Sequence, residues 1–212
     1  MNGGKKIKPI LIDRIQDRRG KTIFNSDERE CLGCDRFTGK LEDLPQIKDN
    51  SKQVISEATA YQITSILEGA VLRGTGKRLK DLNVPLAGKT GTTNNNYDAW
   101  FIGFTSNLVI GVYIGFDQPQ SLGRYETGAK AALPAFKYFI KKALFREDFK
   151  NFNIPDSVYF APINYNTGKP EDFTSSSAII EAFKFKDINK INNNNLDIIG
   201  NYDKIIKYRQ FY

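Results

Sequence analysis

Residues 86–115 read LAGKTGTTNNNYDAWFIGFTSNLVIGVYIG, and this stretch predicts the centre of the fold. Turn-forming residues at 94–96 and 105–107 separate three segments that are rich in apolar side chains. Consecutive strands that are joined by such short turns must be antiparallel neighbours. Glycines within these segments, at positions 103, 111 and 115, indicate close packing of a helix or local bulges. We therefore expect a three-stranded antiparallel sheet whose first strand carries the sequence Lys-Thr-Gly.

Two helices are predicted on either side of this sheet in the sequence. Ser56 is a good N-cap, Glu57 follows in the first turn, and apolar residues keep helical spacing until the chain reaches Gly74. The second helix is expected over residues 129–144, where apolar side chains line one face. Pro134 lies within its first two turns and predicts either a kink or a late start. Strands and helices in this arrangement predict the α+β class.

The remaining segments are less regular. Residues 10–24 contain apolar runs on both sides of DRRGK, which predicts a β-hairpin. Residues 25–50 are charged and aperiodic, so we interpret them as a long surface loop. Residues 151–185 predict a small β-rich element that includes a Thr-Gly-Lys turn. Beyond it the chain is rich in Asn, Lys and Ile, which predicts a frayed and weakly ordered tail.

Composition excludes several classes of function. The chain has 31 basic and 24 acidic residues, a net charge of +7, and the two signs are interleaved. A nucleic-acid-binding protein usually concentrates its positive charge in one patch, so we expect no nucleic-acid partner. There is no histidine, which removes Ser-His-Asp and Cys-His catalysis. The absence of histidine also removes most zinc sites, because Cys31 and Cys34 are the only soft ligands left.

Cys31 and Cys34 have the spacing C-x-x-C in the predicted loop. Three interpretations compete: a reversible disulfide, half of a metal site, or two free thiols. The chain has no second cysteine pair, so the metal site is the weakest of the three. A local disulfide is preferred if the domain lies in an oxidising compartment.

The Lys-Thr-Gly-Thr segment offers the chemistry of a binding site. Alternation along a strand places Lys89 and Gly91 on one face and Thr90 on the other. Gly91 allows a ligand backbone to approach the strand edge, which can pair with an extended peptide. Lys89 and the Thr92 hydroxyl could hold a terminal carboxylate. The alternative is a solvent-facing lysine before a turn.

The segments around this motif resemble the transpeptidase domain of class A, bifunctional penicillin-binding proteins. The resemblance is carried by LAGKTGTTNNNYDAWFIGFT (86–105), VIGVYIGFD (109–117), GAKAALPAFKYFIK (128–141) and VISEATAYQITSILEGAV (54–71). It implies the penicillin-binding transpeptidase or serine β-lactamase-like fold, an antiparallel sheet with packed helices. On this basis we divide the chain into a C-terminal portion of a transpeptidase domain (1–147), an appended β-rich element (148–185) and a polar tail (186–212).

The sequence departs from the family where the reaction takes place. The family's Ser-x-x-Lys and Ser-x-Asn motifs do not occur at any serine of the chain. The serine attacks the D-Ala-D-Ala carbonyl and forms an acyl-enzyme, so the chain is expected to lack a catalytic residue of its own. We predict a truncated piece of a transpeptidase that supplies the Lys-Thr-Gly wall of the groove, from Lys89 to Thr92, and is inactive alone. A non-catalytic peptide-binding or partner-binding remnant is the alternative.

The resemblance also implies the partners and the compartment. The expected ligands are the stem peptide of peptidoglycan and β-lactams, without a cofactor, and the expected protein partner is a separately encoded N-terminal half. The resembled enzymes work on the periplasmic side of the inner membrane. The chain shows no targeting signal, which predicts a cytoplasmic location if it is translated alone. A sheet face without its covering helices should expose apolar surface and leave the isolated chain poorly soluble or marginally stable.

Overall fold

The computed structural model describes residues 2–27, 29, 31–32, 46–47, 51–143, 149–185 and 187. Their strands are β1 (Arg14–Gln16), β2 (Thr22–Asn25), β3 (Cys31–Leu32), β4 (Gln46–Ile47), β5 (Ala87–Thr92), β6 (Asp98–Phe104), β7 (Val109–Gly115), β8 (Val158–Asn164) and β9 (Ala178–Lys184). The helices are α1 (Glu57–Leu72) and α2 (Ala132–Ala143), with 3₁₀ turns at Lys77–Leu82 and Asn94–Asn96. Every paired strand in this set is antiparallel, and the predicted α+β class is confirmed.

The first compact unit spans Asn2–Ile55 and contains the predicted hairpin. Strands β1 and β2 pair antiparallel around a turn in which Asp17 Oδ1 accepts hydrogen bonds from the backbone N–H groups of Arg19 and Lys21. The region predicted as one long loop also contains a short strand pair, β3 with β4. Cys34 lies outside the described residues, so the disulfide with Cys31 stays a prediction.

The second unit, from Ser56 onward, is built on the predicted three-stranded sheet in the order β5-β6-β7. Successive side chains of β6 lie on opposite faces of the sheet. Phe101 is fully buried and meets Phe136 of α2, with ring centroids 4.7 Å apart. Trp100 and Ile102, on the opposite face, keep 40% and 49% of their surface exposed. Helix α2 therefore covers one face of the sheet.

Both predicted helices form, and their ends have local causes. Ser56 Oγ accepts a hydrogen bond from the Thr59 N–H at 3.2 Å, which caps α1 as expected. Helix α2 begins at Ala132, later than predicted, after a turn in which Gly128 O accepts from the N–H groups of Ala132 and Leu133. The late start places Pro134 in the first turn, where its missing N–H costs no intrahelical bond.

The described part of the second unit has two hydrophobic clusters. One joins α1 to the β8–β9 hairpin, with Tyr61 and Phe160 meeting edge to face at 6.0 Å. Arg73, at the end of α1, also donates to Glu181 of β9 at 2.7 Å. The other cluster lies between β6 and α2. The division predicted between residues 147 and 148 stays a prediction, and the predicted tail lies outside the described residues except for Asp187.

Gly103 provides a direct test of the packing between β6 and α2. A Cβ placed there would lie 2.6 Å from the Phe136 ring and 2.8 Å from the Phe101 ring, and both rings are fully buried. We expect Gly103→Ala to reduce the free energy of unfolding by about 1–3 kcal/mol, the usual cost of overpacking. Urea denaturation measures this loss. The control is Gly111→Ala, whose Cβ would meet nothing within 4 Å; equal losses in both variants would contradict the packing.

Within the described residues, we find no helix with both the length and the apolar character that crossing a bilayer requires.

Candidate functional site

Strand β5 carries the Lys-Thr-Gly-Thr segment and forms one edge of its sheet. Its inner side pairs along its whole length with β6, from Ala87 opposite Phe104 to Thr92 opposite Ala99. No strand pairs with its outer side among the described residues. An edge strand presents backbone N–H and C=O groups that an extended peptide can pair with.

Lys89 is exposed, and its ammonium group contacts the neighbouring residue of the same strand. Lys89 Nζ donates to the backbone oxygen of Thr90 at 3.0 Å and to Thr90 Oγ1 at 3.3 Å. Lys89 therefore bends along its own strand, and its partners among the described residues are two neutral oxygens and no carboxylate. A positive charge with only neutral partners can accept an anion without first breaking an ion pair.

Thr90 also contacts Thr75, a residue that the sequence did not predict to lie near β5. Thr75 Oγ1 and Thr90 Oγ1 are 3.0 Å apart, within hydrogen-bonding distance. Thr75 belongs to the segment Arg-Gly-Thr-Gly-Lys after α1, which the sequence predicts only as a helix end and a turn. Arg73 is indeed the C-cap of α1, and the turn that follows also brings Thr75 to β5. No local pattern marks such a contact.

Thr92 is fixed by a second unpredicted residue, Gly128. The backbone N–H of Gly128 donates to Thr92 Oγ1 at 3.0 Å. Gly128 also lies directly against the strand, since a Cβ placed there would be 2.6 Å from Gly91 O and 2.2 Å from Trp100 O. A sequence signal does exist in Thr127-Gly128, a glycine before a predicted helix, but it does not identify the partner strand.

The loop before Gly128 is fastened to the turn between β5 and β6. Ser121 Oγ donates to Asn95 O at 2.8 Å, Leu122 N donates to Asn96 O at 2.9 Å, and Asn96 Nδ2 donates to Gly123 O at 3.1 Å. Asn95 and Asn96 both have positive φ, at 60° and 54°, a conformation that Asn tolerates better than most residues. The three asparagines 94–96 therefore form a structured turn that holds the loop beside β5.

The sheet face that carries Lys89 and Gly91 is apolar and exposed. Register places Ile102 opposite Lys89 and Trp100 opposite Gly91. Trp100 contacts Tyr113 of β7, with ring centroids 4.8 Å apart. We name the side chains of Trp100, Ile102 and Tyr113 the open face; 40–49% of each is exposed. Aromatic and aliphatic side chains grouped in this way on one sheet face are typical of a contact surface.

Tyr113, on the open face, has a hydroxyl whose pKa can be measured. Its hydroxyl donates to Asp98 Oδ1 at 2.8 Å. This hydrogen bond, with smaller contributions from desolvation and from the charges of Asp98 and Asp117, raises the pKa of Tyr113 above its ordinary value of 10.0. The bond therefore stabilises the fold fully below the unfolded pKa, and its contribution is lost as pH rises through the raised folded pKa.

We expect Asp98→Asn to lower the pKa of Tyr113 towards its ordinary value. The measurement is the phenolate absorbance over an alkaline pH range, taken as the difference between a protein with Tyr113 and the matching Tyr113→Phe variant. An unchanged Tyr113 titration in Asp98→Asn would contradict the assigned cause.

Comparison with known proteins identifies the family to which this chain is similar. Residues 1–141 match the family described as the penicillin binding protein transpeptidase domain. The chain is 41% identical over 206 residues to penicillin-binding protein 1A of Rickettsia felis, and the match covers 95% of this chain and 25% of the relative. It is 31% identical to penicillin-binding protein 1A of Pseudomonas aeruginosa over 216 residues, covering 88% of this chain and 26% of the relative.

A solved structure extends the comparison to the fold. The crystal structure of penicillin-binding protein 1A from Haemophilus influenzae superposes with a TM-score of 0.65 at 31% identity, covering 87% of this chain and 30% of that one. The chain thus spans about a quarter of the length of the curated relatives it matches. The family match covers well over half of the chain, and the same fold is found in the solved relative. The resemblance inferred from the sequence is confirmed: this chain belongs to the penicillin-binding protein transpeptidase family.

Proposed function

We propose that this chain supplies the Lys-Thr-Gly wall of the substrate groove of a D-Ala-D-Ala transpeptidase that cross-links peptidoglycan. The observation that carries the proposal is that β5 has no strand partner on its outer edge within the described part of the chain, and that it carries the exposed Lys89. An extended stem peptide would pair with this edge as an added strand. β-Lactams, which mimic the D-Ala-D-Ala terminus, would occupy the same groove.

Each residue of the segment has a role in this proposal. Lys89 supplies positive charge near the reacting carbonyl, where neutral hydrogen-bond partners leave its charge uncompensated. Gly91 has no side chain to obstruct the approaching peptide backbone. Thr92 donates its hydroxyl hydrogen to the terminal carboxylate, while Thr90, tied to Thr75, holds the strand in place.

The nucleophile has to come from residues outside this sequence. Acyl transfer in this family needs a serine whose oxygen attacks the peptide carbonyl, expels D-Ala and forms an acyl ester, with a lysine that takes the serine proton. The ten serines of the chain lack a lysine three residues later. We propose that these 212 residues do not acylate on their own, and that the polypeptide bearing Ser-x-x-Lys and Ser-x-Asn packs on the open face.

Titration with a short acyl-D-Ala-D-Ala peptide tests the groove. Backbone amide signals of 88–92 should shift on addition of the peptide, and the same peptide with an amidated C-terminus should bind about tenfold more weakly or worse, because a hydrogen bond to a charged group is lost. Equal affinity for the acid and the amide, or shifts that avoid β5, would reject the proposed groove.

A non-catalytic peptide-binding module is the second candidate. The absence of the Ser-x-x-Lys and Ser-x-Asn motifs fits this module as well as it fits one part of an enzyme whose serine lies elsewhere. The two differ in what happens when a polypeptide carrying Ser-x-x-Lys is added. A wall of an enzyme then supports covalent acylation by penicillin, whereas a binding module leaves penicillin unreacted.

We place this activity on the periplasmic side of the inner membrane, because that is where stem peptides of peptidoglycan are cross-linked. The similarity to proteins named penicillin-binding protein 1A supports the proposed link to penicillin-binding enzymes.

A further inference from the structure

We propose that Gly128 is a positioning residue that turns the Thr92 hydroxyl into a dedicated hydrogen-bond donor for the terminal carboxylate of the substrate. The proposal rests on the function proposed above for β5, and it adds a residue that lies 36 positions away from Thr92 in the sequence. Gly128 itself would not touch the substrate.

The first argument is the direction of the hydrogen bond. A threonine hydroxyl has one hydrogen to donate and two lone pairs that accept. The Gly128 N–H occupies one of these lone pairs at 3.0 Å. This N–H also polarises the O–H bond, so the hydroxyl becomes a better donor to a third group. An anion at the outer edge of β5 is the partner that benefits most, since hydrogen bonds to charged acceptors are stronger than neutral ones.

The second argument is steric. A Cβ at position 128 would lie 2.2 Å from Trp100 O, 2.6 Å from Gly91 O and 3.2 Å from Gly91 N. These are backbone atoms of two paired strands, so they cannot move aside as the end of a flexible side chain could. Only glycine allows the chain at 128 to come this close to β5. Alanine would have to displace either the strand or the segment that donates the hydrogen bond.

The third argument is that Gly128 is also held by the start of α2. Its carbonyl oxygen accepts from the N–H groups of Ala132 and Leu133 at the start of α2. The preceding Thr127 carbonyl accepts from the N–H groups of Lys130 and Ala131. The donor N–H is therefore fixed to the first turn of α2, whose core side chains Leu133 and Phe136 are buried. The position of Thr92 Oγ1 is therefore set by a packed helix and not by a loose loop.

The test measures how well variants discriminate between an acyl-D-Ala-D-Ala peptide and its C-terminal amide. In Gly128→Ala we expect the acid-over-amide preference to fall about tenfold, while affinity for the amide changes less than about twofold. Gly111→Ala, whose Cβ meets nothing within 4 Å, is the matched glycine control and should keep the full preference. An unchanged preference in Gly128→Ala would overturn the proposal.

Variants of Thr92 keep the test decisive if Gly128→Ala does not fold. Thr92→Ser keeps the hydroxyl and should retain both the acid preference and slow hydrogen exchange at the Gly128 amide. Thr92→Val removes the acceptor, so the preference should fall and exchange at Gly128 should accelerate. Slow exchange at the Gly128 amide in Thr92→Val would show that this amide does not depend on the Thr92 hydroxyl as its acceptor, and it would overturn the proposal. A wild-type chain without any acid preference would instead reject the proposed groove itself, whatever the exchange data show.

Discussion

Lys89→Ala is expected to slow acylation by penicillin about 10²–10³-fold once a polypeptide carrying Ser-x-x-Lys completes the site. The physical reason is that Lys89 is the charged group of the proposed groove wall and is held by the neutral oxygens of Thr90. In the proposed site its charge would stabilise the negative charge that develops on the reacting carbonyl. Losses of this size are usual when one preorganised donor is removed from an acyl-transfer site. The measurement is the rate of covalent labelling by a fluorescent penicillin at saturating concentration of both polypeptides.

Lys142→Ala is the matched control, because Lys142 is an exposed lysine on α2, away from β5. It should label at the wild-type rate. Lys89→Arg tests whether charge alone suffices, since a planar guanidinium cannot reproduce the compact ammonium group that bends onto Thr90. A Lys89→Ala rate within a few-fold of wild type would remove Lys89 from the proposed mechanism.

Phe136→Ala is expected to lower the free energy of unfolding by about 3–5 kcal/mol, the usual cost of removing a buried aromatic ring. Phe136 is fully buried, packs against the Phe101 ring at 4.7 Å and fills the space that Gly103 leaves open. The cavity would lie between β6 and α2, where the rigid neighbouring rings leave little room for collapse.

Urea denaturation measures this change, with Tyr138→Ala as the control on the same helix. Tyr138 is 66% exposed, so its replacement should change the free energy of unfolding by less than about 0.5 kcal/mol. A loss below about 1 kcal/mol in Phe136→Ala would contradict the idea that α2 and the sheet share a closely packed core.

The parts of the fold that sequence predicts well are those with strong local signals. Turn residues at 94–96 and 105–107 define the three central strands, and the order β5-β6-β7 follows from the shortness of those turns. Ser56 and the helical spacing after it predict α1 in the same way. Pro134 predicts either a kink or a late start of α2, and the structure shows the late start, in which the proline lies in the first turn.

The parts that sequence does not reveal are contacts between distant segments. Lys89, Thr90, Gly91 and Thr92 can be selected from the motif, but Thr75 and Gly128 reach them only through the tertiary fold. Thr75 comes from the turn after α1 and Gly128 from the start of α2. Each contributes a single hydrogen bond whose partner no periodicity or spacing specifies. A single sequence therefore selects the strand that we propose binds substrate, but it does not show which distant residues hold that strand in place.

The open face supports the proposal that these residues form one part of a larger site. Trp100, Ile102 and Tyr113 present apolar surface on the same sheet face as Lys89. A second polypeptide covering that surface would bring its own residues close to the Lys89 ammonium group. The proposed arrangement thus joins two features of the same face: a charged strand edge that binds substrate, and an apolar surface that receives the chain bearing the serine.

The most direct test of this account is the intact mass of the chain after incubation with penicillin. Opening of the β-lactam ring releases no leaving group, so acylation adds the whole mass of the drug. The account predicts an unchanged mass for the chain by itself, and, after a polypeptide carrying Ser-x-x-Lys and Ser-x-Asn is added, an adduct on that polypeptide that depends on Lys89. A stoichiometric penicillin adduct on this chain alone would contradict the account, because it would locate a nucleophile within these 212 residues.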